Sequence, residues 1–99
     1  MNIEKKIQGT TTTFWLEGKI DTLTTTELTV AIESIIQDTE HLILDFEKVT
    51  YISSAGLRSL LVGHQKMQEK NGKMEIVHIG DAVMAVFIMT GFDKILLLG

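Results

Sequence analysis

The most informative stretch of the chain is residues 44–58, which read Leu44-Asp45-Phe46-Glu47-Lys48-Val49-Thr50-Tyr51-Ile52-Ser53-Ser54-Ala55-Gly56-Leu57-Arg58. A buried strand is expected to end here, and after a short polar connection two serines, Ser53 and Ser54, open a predicted helix. A helix N-terminus offers unpaired backbone N–H groups and a partial positive charge, so it favours a phosphate, bound or covalent. The small residues Ala55 and Gly56 would let another protein's surface approach the serines closely.

The same two serines also have a purely structural interpretation. Serine before a helix is commonly an N-cap, whose hydroxyl accepts a hydrogen bond from a backbone N–H of the first turn. A capping box would add an acidic or amide residue three positions later, but those positions hold Gly56 and Leu57. Capping alone therefore accounts for the pair incompletely, and both interpretations stay open at this point.

The segment before this stretch predicts a hairpin. Residues 3–7 and 11–17 are typical of strands, and Gly9 with its polar neighbours predicts the turn between them. Phe14 alternates with Trp15 in the second strand, so Phe14 is expected to face the core and Trp15 to face outward.

Two helices are predicted on either side of the central strand. The first covers about residues 25–37, and Thr24 with Glu27 three positions later has the spacing of a capping box. The second covers about residues 54–69 and ends at Asn71-Gly72, a pair typical of the left-handed C-cap.

The remaining elements complete an alternation of strands and helices. Residues 41–46 form a mostly apolar run, which predicts a central strand covered on both faces. Residues 74–79 predict a further strand, Asp81 is expected to cap a third helix that Gly91 ends, and residues 95–98 predict a last strand. The order β-β-α-β-α-β-α-β indicates an α/β fold layered on one sheet.

Composition excludes several function classes. The chain has 99 residues, no cysteine and a formal net charge of -4, which argue against a disulfide framework, a zinc-thiolate site and a basic nucleic-acid interface. No apolar run is long enough to span a bilayer, so no direct membrane insertion is expected. His41, His64 and His78 lack the close spacing of metal-binding pairs, so no metal and no cofactor are expected.

Three segments together resemble the STAS domain family, specifically its anti-sigma-factor antagonists. Residues 45–58 resemble the family's signature, in which an aspartate ends a strand and a serine-rich Ala-Gly-Leu motif starts a helix. Gly18-Lys19-Ile20-Asp21 and residues 90–95 resemble two further landmarks, in the same order. The resemblance implies one STAS domain over residues 1–99, its C-terminal helix short or missing. Its four- to five-stranded mixed sheet would carry helices mainly on one face.

The resemblance also assigns roles to individual positions. Ser54 matches the family's phosphorylated serine, and Asp21 matches an acidic residue placed near it. Ser53 occupies a position where the family often has aspartate. The serine therefore leaves one negative charge fewer beside Ser54. The expected partner-binding residues are Asp21, Ser53, Ser54, Ala55, Gly56, Leu57 and Arg58.

The function implied by the resemblance is that of a cytoplasmic, phosphorylation-controlled binding module in transcription regulation. The unphosphorylated protein would bind an anti-sigma factor with serine kinase activity and so release the sigma factor. Phosphorylation of Ser54 would abolish binding, and a serine phosphatase would reset the switch.

Two alternatives compete with this interpretation. STAS domains also act in membrane transport systems by protein–protein contact, without a need for phosphorylation, and neighbouring genes for a kinase or for a permease would separate the two roles. An enzymatic role is not expected, because the sequence has no P-loop, no dinucleotide-binding glycine pattern and no nucleophile elbow.

Overall fold

The computed structural model describes residues 1–99, which form five strands and three α-helices. The strands are β1 (Asn2–Gln8), β2 (Thr11–Ile20), β3 (His41–Ile52), β4 (Lys73–Val77) and β5 (Leu97–Leu98). The α-helices are α1 (Thr25–Ile35), α2 (Ser54–Glu69) and α3 (Asp81–Thr90), with short 3₁₀ turns at Ile36–Asp38 and Phe92–Lys94. None of the helices has the length and apolar composition needed to cross a bilayer.

The strands form one mixed sheet in the order β1-β2-β3-β4-β5. β1 is antiparallel to β2 through a tight turn at Gly9, whose positive φ of 63° glycine adopts without strain. β3 and β4 continue the sheet in parallel, and β5 adds two residues at the edge. The predicted α/β class and mixed sheet are therefore confirmed.

One face of the sheet carries the hydrophobic core. Alternate side chains of the central strands, such as Phe14, Leu44 and Ile76, are almost completely buried beneath the helices. Burying each such side chain stabilises the fold by about 1.5–3 kcal/mol. Phe46 packs on Phe87 with ring centroids 6.2 Å apart, which places α3 over the middle of β3.

The opposite face of the sheet is open, and the prediction of a β3 strand covered on both faces is wrong. His41 and Ile43 on β3 are only partly buried, and the side chain of Trp15 on β2 is 40% exposed. The run of residues 41–46 is mostly apolar because Ile43 lies on the open side of β3. Neighbouring strands bury this side chain only partly, and partial burial is sufficient to favour an apolar residue.

Thr24 holds the predicted N-cap position of α1 but forms no capping box, and the predicted Asp81 cap of α3 is wrong. The hydroxyl of Thr24 makes no cap hydrogen bond and instead donates to the Lys19 carbonyl, at 2.7 Å. The N-cap of α3 is Gly80, whereas Asp81 is the first helical residue and makes no side-chain cap. The capping box does not form because the carboxylate of Asp21 accepts hydrogen bonds from the backbone N–H groups of Leu23 and Thr24.

Several element ends also differ from the sequence prediction. Helix α1 ends at Ile35 and passes into a 3₁₀ turn, where Lys70 donates hydrogen bonds to the carbonyls of Ile36 and Gln37. β4 ends at Val77 because His78 adopts a left-handed backbone with φ 56°. The predicted ends of α2 at Asn71 and of α3 at Gly91 are confirmed by their left-handed φ angles.

A side-chain pair ties the end of β4 to β3. The carboxylate of Asp45, buried on β3, accepts a hydrogen bond of 2.8 Å from Nδ1 of His78 and one of 2.9 Å from the backbone N–H of Glu47. The Asp45 hydrogen bond and negative charge raise the pKa of His78 above its ordinary value of 6.5. A raised pKa means that the folded state binds the proton more tightly than the unfolded state.

The pair predicts a pH-dependent contribution to stability. Because the pKa of His78 is higher in the folded state, the contribution should be fully present below pH 6.5 and lost as the pH rises through the raised pKa. We expect the melting temperature of the wild type to exceed that of His78→Asn by more at about pH 6, where Asp45 is ionised, than at about pH 9; asparagine tolerates the left-handed backbone. A melting-temperature difference independent of pH, or larger at high pH, would contradict the pair.

Candidate functional site

The two serines of the 44–58 stretch have different structural roles. Ser53 is the N-cap of α2, and its hydroxyl accepts a hydrogen bond of 3.2 Å from the backbone N–H of Gly56. Ser54 is the first residue of the helix and is exposed to solvent. The capping role is thus filled by one serine, and the hydroxyl of the other is left accessible at the positive end of a 16-residue helix.

Strand pairing places the serines beside the end of β2. β2 and β3 run parallel, with Ile20 paired to Ile52, so both strands deliver their following residues to the same edge of the sheet. The backbone N–H of Ser53 donates to the Ile20 carbonyl at 2.9 Å. The structure therefore brings together Asp21 and the serine motif, which the sequence separates by about thirty residues.

Asp21 organises the loop that follows β2. Its carboxylate accepts hydrogen bonds from the backbone N–H groups of Leu23 at 3.0 Å and Thr24 at 3.1 Å. The hydrogen bond from Thr24 is the main cause of a lowered pKa for Asp21, so the loop retains its negative charge at neutral pH. Leu23 is 85% exposed at the tip of this loop, just before α1.

Gly56 allows α2 to begin directly on the strand ends. A Cβ atom at this position would lie 2.8 Å from the side chains of Ile20 and Ile52 and 2.9 Å from the Ile20 carbonyl oxygen. Leu57 is buried in the core immediately after it. Of the seven predicted site residues, these two lie beneath the surface and hold the helix start in place.

An open groove runs between the starts of α1 and α2. It is lined by Thr25, Ser54, Ala55, Arg58 and Ser59. The hydroxyl of Thr25 is hydrogen-bonded to that of Ser59 and donates to the Ala55 carbonyl at 3.4 Å, so the two helix starts are fixed to each other. Sequence analysis missed Thr25 and Ser59 because they meet across 34 positions, and no local pattern signals such a contact.

The chemistry available at the groove is that of an exposed alcohol beside backbone N–H groups. Activated serine nucleophiles are hydrogen-bonded to a general base. His78 is hydrogen-bonded to Asp45 and His41 to Glu75, and no histidine or carboxylate is hydrogen-bonded to Ser54.

A second cluster of chemically active side chains lies apart from the groove. Asp45, Glu47 and His78 bring potential metal-ligand atoms within 4.8 Å of one another. Sequence spacing missed this cluster because it joins β3 to the residue after β4. Both carboxylate oxygens of Asp45 already accept hydrogen bonds within the cluster, which accounts for its geometry without an ion.

Comparison with known proteins identifies the family. The family model of the STAS domain matches residues 2–98, so the chain belongs to the STAS domain family. An anti-sigma factor antagonist from Mycobacterium paratuberculosis is similar at 26% identity with a TM-score of 0.86, covering 98% of this chain and 83% of that one.

Two further solved structures share the fold. The Bacillus cell fate determinant SpoIIAA, in its phosphorylated form, has 16% identity and a TM-score of 0.77, covering 99% of this chain and 91% of that one. A sulfate transporter family protein from Wolinella succinogenes has 14% identity and a TM-score of 0.80, and the match covers 95% of this chain and 80% of that one. The predicted resemblance to the STAS family and its anti-sigma factor antagonists is thus confirmed at the level of family and fold.

The close packing of the start of α2 on the ends of β2 and β3 predicts that the stability of the fold is sensitive to any side chain added at Gly56. We expect Gly56→Ala to destabilise the fold by about 1–3 kcal/mol, because the added methyl group meets backbone and packed side chains. Gly63→Ala, in the same helix, is the matched control. Its Cβ would meet only the ends of Met74 and Ile32 at 3.2 and 3.3 Å, and it gains helix propensity.

Chemical denaturation of both variants measures the difference in unfolding free energy. A Gly56→Ala variant as stable as the wild type, or no less stable than Gly63→Ala, would contradict the close seating of the helix.

Proposed function

We propose that this protein is an anti-sigma-factor antagonist switched by phosphorylation of Ser54. In its unphosphorylated form it binds an anti-sigma factor that has serine kinase activity, and the sigma factor is released. The kinase phosphorylates Ser54 and binding is lost until a serine phosphatase removes the phosphate. The observation that carries this proposal is that the two serines have different roles: the hydroxyl of Ser53 caps α2, whereas Ser54 is exposed beside it.

The position of Ser54 allows a phosphate to be added without disturbing the fold. A phosphate brings about -1.5 to -2 charges and three acceptor oxygens, which the positive end of α2 stabilises. SpoIIAA has been solved in unphosphorylated and phosphorylated forms, with TM-scores to this chain of 0.79 and 0.77. Similar scores for the two forms support a switch that acts at the surface rather than through refolding.

Loss of binding then follows from local electrostatics and desolvation. The proposed contact surface consists of residues around Ser54, namely the half-buried Ala55 and the exposed Arg58 on α2 and the exposed Leu23 on the adjacent loop. A partner that packs against Ala55 and Arg58 would also cover Ser54, which lines the same groove, and a phosphate there would have to be desolvated. A penalty of only about 1.4 kcal/mol weakens binding tenfold.

The proposed output is occupancy of a partner, with no chemistry performed by the chain itself. Asp21 serves this surface by shaping the loop that presents Leu23, and its retained charge adds to the field around Ser54. Gly56 and Leu57 serve it from below by fixing the start of α2.

A second candidate is a STAS domain that works with a membrane transport system by protein contact alone. The structural similarity to the Wolinella succinogenes sulfate transporter family protein favours it. The two candidates differ in the role of Ser54, because only the first requires that a negative charge at this position changes binding.

The experiment that tests the proposal compares binding of Ser54 variants to the candidate anti-sigma kinase. We expect Ser54→Ala to bind within a few fold of the wild type and Ser54→Asp to bind at least about tenfold more weakly, measured by calorimetry. Ser53→Ala is the matched control. It removes the cap and costs about 1 kcal/mol of stability, but it leaves the charge at position 54 unchanged. Ser54→Asp binding as tightly as the wild type would contradict the proposal.

A further inference from the structure

Arg58 is the single arginine of the chain, and it lines the same groove as Ser54. Its side chain is exposed and takes part in none of the three ion pairs of the structure, which join His41 to Glu75, Lys66 to Glu33 and His78 to Asp45. A guanidinium with no carboxylate partner is thus held next to the candidate phosphorylation site.

The helix places Arg58 one turn after Ser54. Residues four apart on a helix lie on the same face, about 6 Å apart at their Cβ atoms. Long helical side chains lean toward the N-terminus, so a guanidinium at position 58 is able to reach back to the turn that contains Ser54. An acidic group placed N-terminal to a basic one at this spacing is the more favourable order.

We propose that Arg58 pairs with the phosphate on Ser54 within the same molecule. The inference rests on the proposed function, which supplies the phosphate. Arginine suits this role because its planar fork donates two parallel hydrogen bonds to phosphate oxygens, whereas lysine offers a point charge. Phosphorylation would therefore change the contact surface twice, adding a phosphate and withdrawing the guanidinium from any partner carboxylate.

The other cations on or near α2 are less well placed for this pairing. Lys19 at the end of β2 acts on Asp21, whose pKa it helps to lower. Lys66 lies twelve residues after Ser54, or about 18 Å along the helix, and is paired with Glu33 at 3.2 Å. Arg58 is thus the cation that shares both a helix face and a groove with Ser54.

The test measures the second pKa of phosphoserine 54 by phosphorus NMR. Phosphoserine is incorporated during translation, so that the sample does not depend on any kinase. We expect this pKa to be lower in the wild type than in Arg58→Gln by roughly 0.3 pH unit or more, because a nearby cation favours the dianion. Arg58→Lys should retain part of the shift, and high salt should reduce it.

Lys66→Gln is the matched control, because it removes one positive charge from the same helix far from Ser54. We expect its phosphoserine pKa to equal that of the wild type. Equal pKa values in the wild type and Arg58→Gln, with both variants folded by circular dichroism, would overturn the intramolecular pair. Failure of an active anti-sigma kinase to modify Ser54 would instead overturn the proposed function, and leave the measured pair standing.

Discussion

The close contact between the start of α2 and the end of β2 is the constraint on which the site depends. The Ser53 N–H donates to the Ile20 carbonyl, and the absent side chain of Gly56 lets the helix backbone approach the same carbonyl. Because the helix begins in direct contact with the end of β2, Ser53 becomes the N-cap residue and Ser54 faces solvent. Parallel pairing of β2 with β3 then brings the Asp21 loop to the same edge. An accessible hydroxyl, a helix N-terminus and an exposed Leu23 therefore follow from one packing requirement.

Sequence periodicity was sufficient for the order of elements and for the core. The predicted alternation of Phe14 with Trp15 reflects burial, because Phe14 is buried in the core and Trp15 is exposed on the open face. The failures occurred where a tertiary contact competed with a local pattern. The carboxylate of Asp21 accepts the Thr24 N–H that the Glu27 side chain of a capping box would have needed. The apolar strand β3 looked fully covered because partial burial on the open face also selects apolar residues such as Ile43.

The site was predictable to the extent that it is local in sequence. Ser53, Ser54 and Gly56 lie in one motif, and the family resemblance of that motif is confirmed by the match to residues 2–98. The groove needed the structure, since Thr25 and Ser59 meet only when α1 and α2 pack together. The Asp45, Glu47 and His78 cluster was invisible for the same reason, because the register between β3 and β4 sets it. Which serine caps the helix also could not be read from the sequence, where both have a plausible cap position.

The most direct test of the different roles of Ser53 and Ser54 is to determine which of them a kinase phosphorylates. The full chain would be incubated with ATP and a candidate anti-sigma kinase, and the modified residue would be located by electron-transfer fragmentation in a mass spectrometer. The account predicts that the phosphate is found on Ser54, with the cap residue Ser53 unmodified. Phosphate on Ser53, or on neither serine while the kinase remains active, would contradict it.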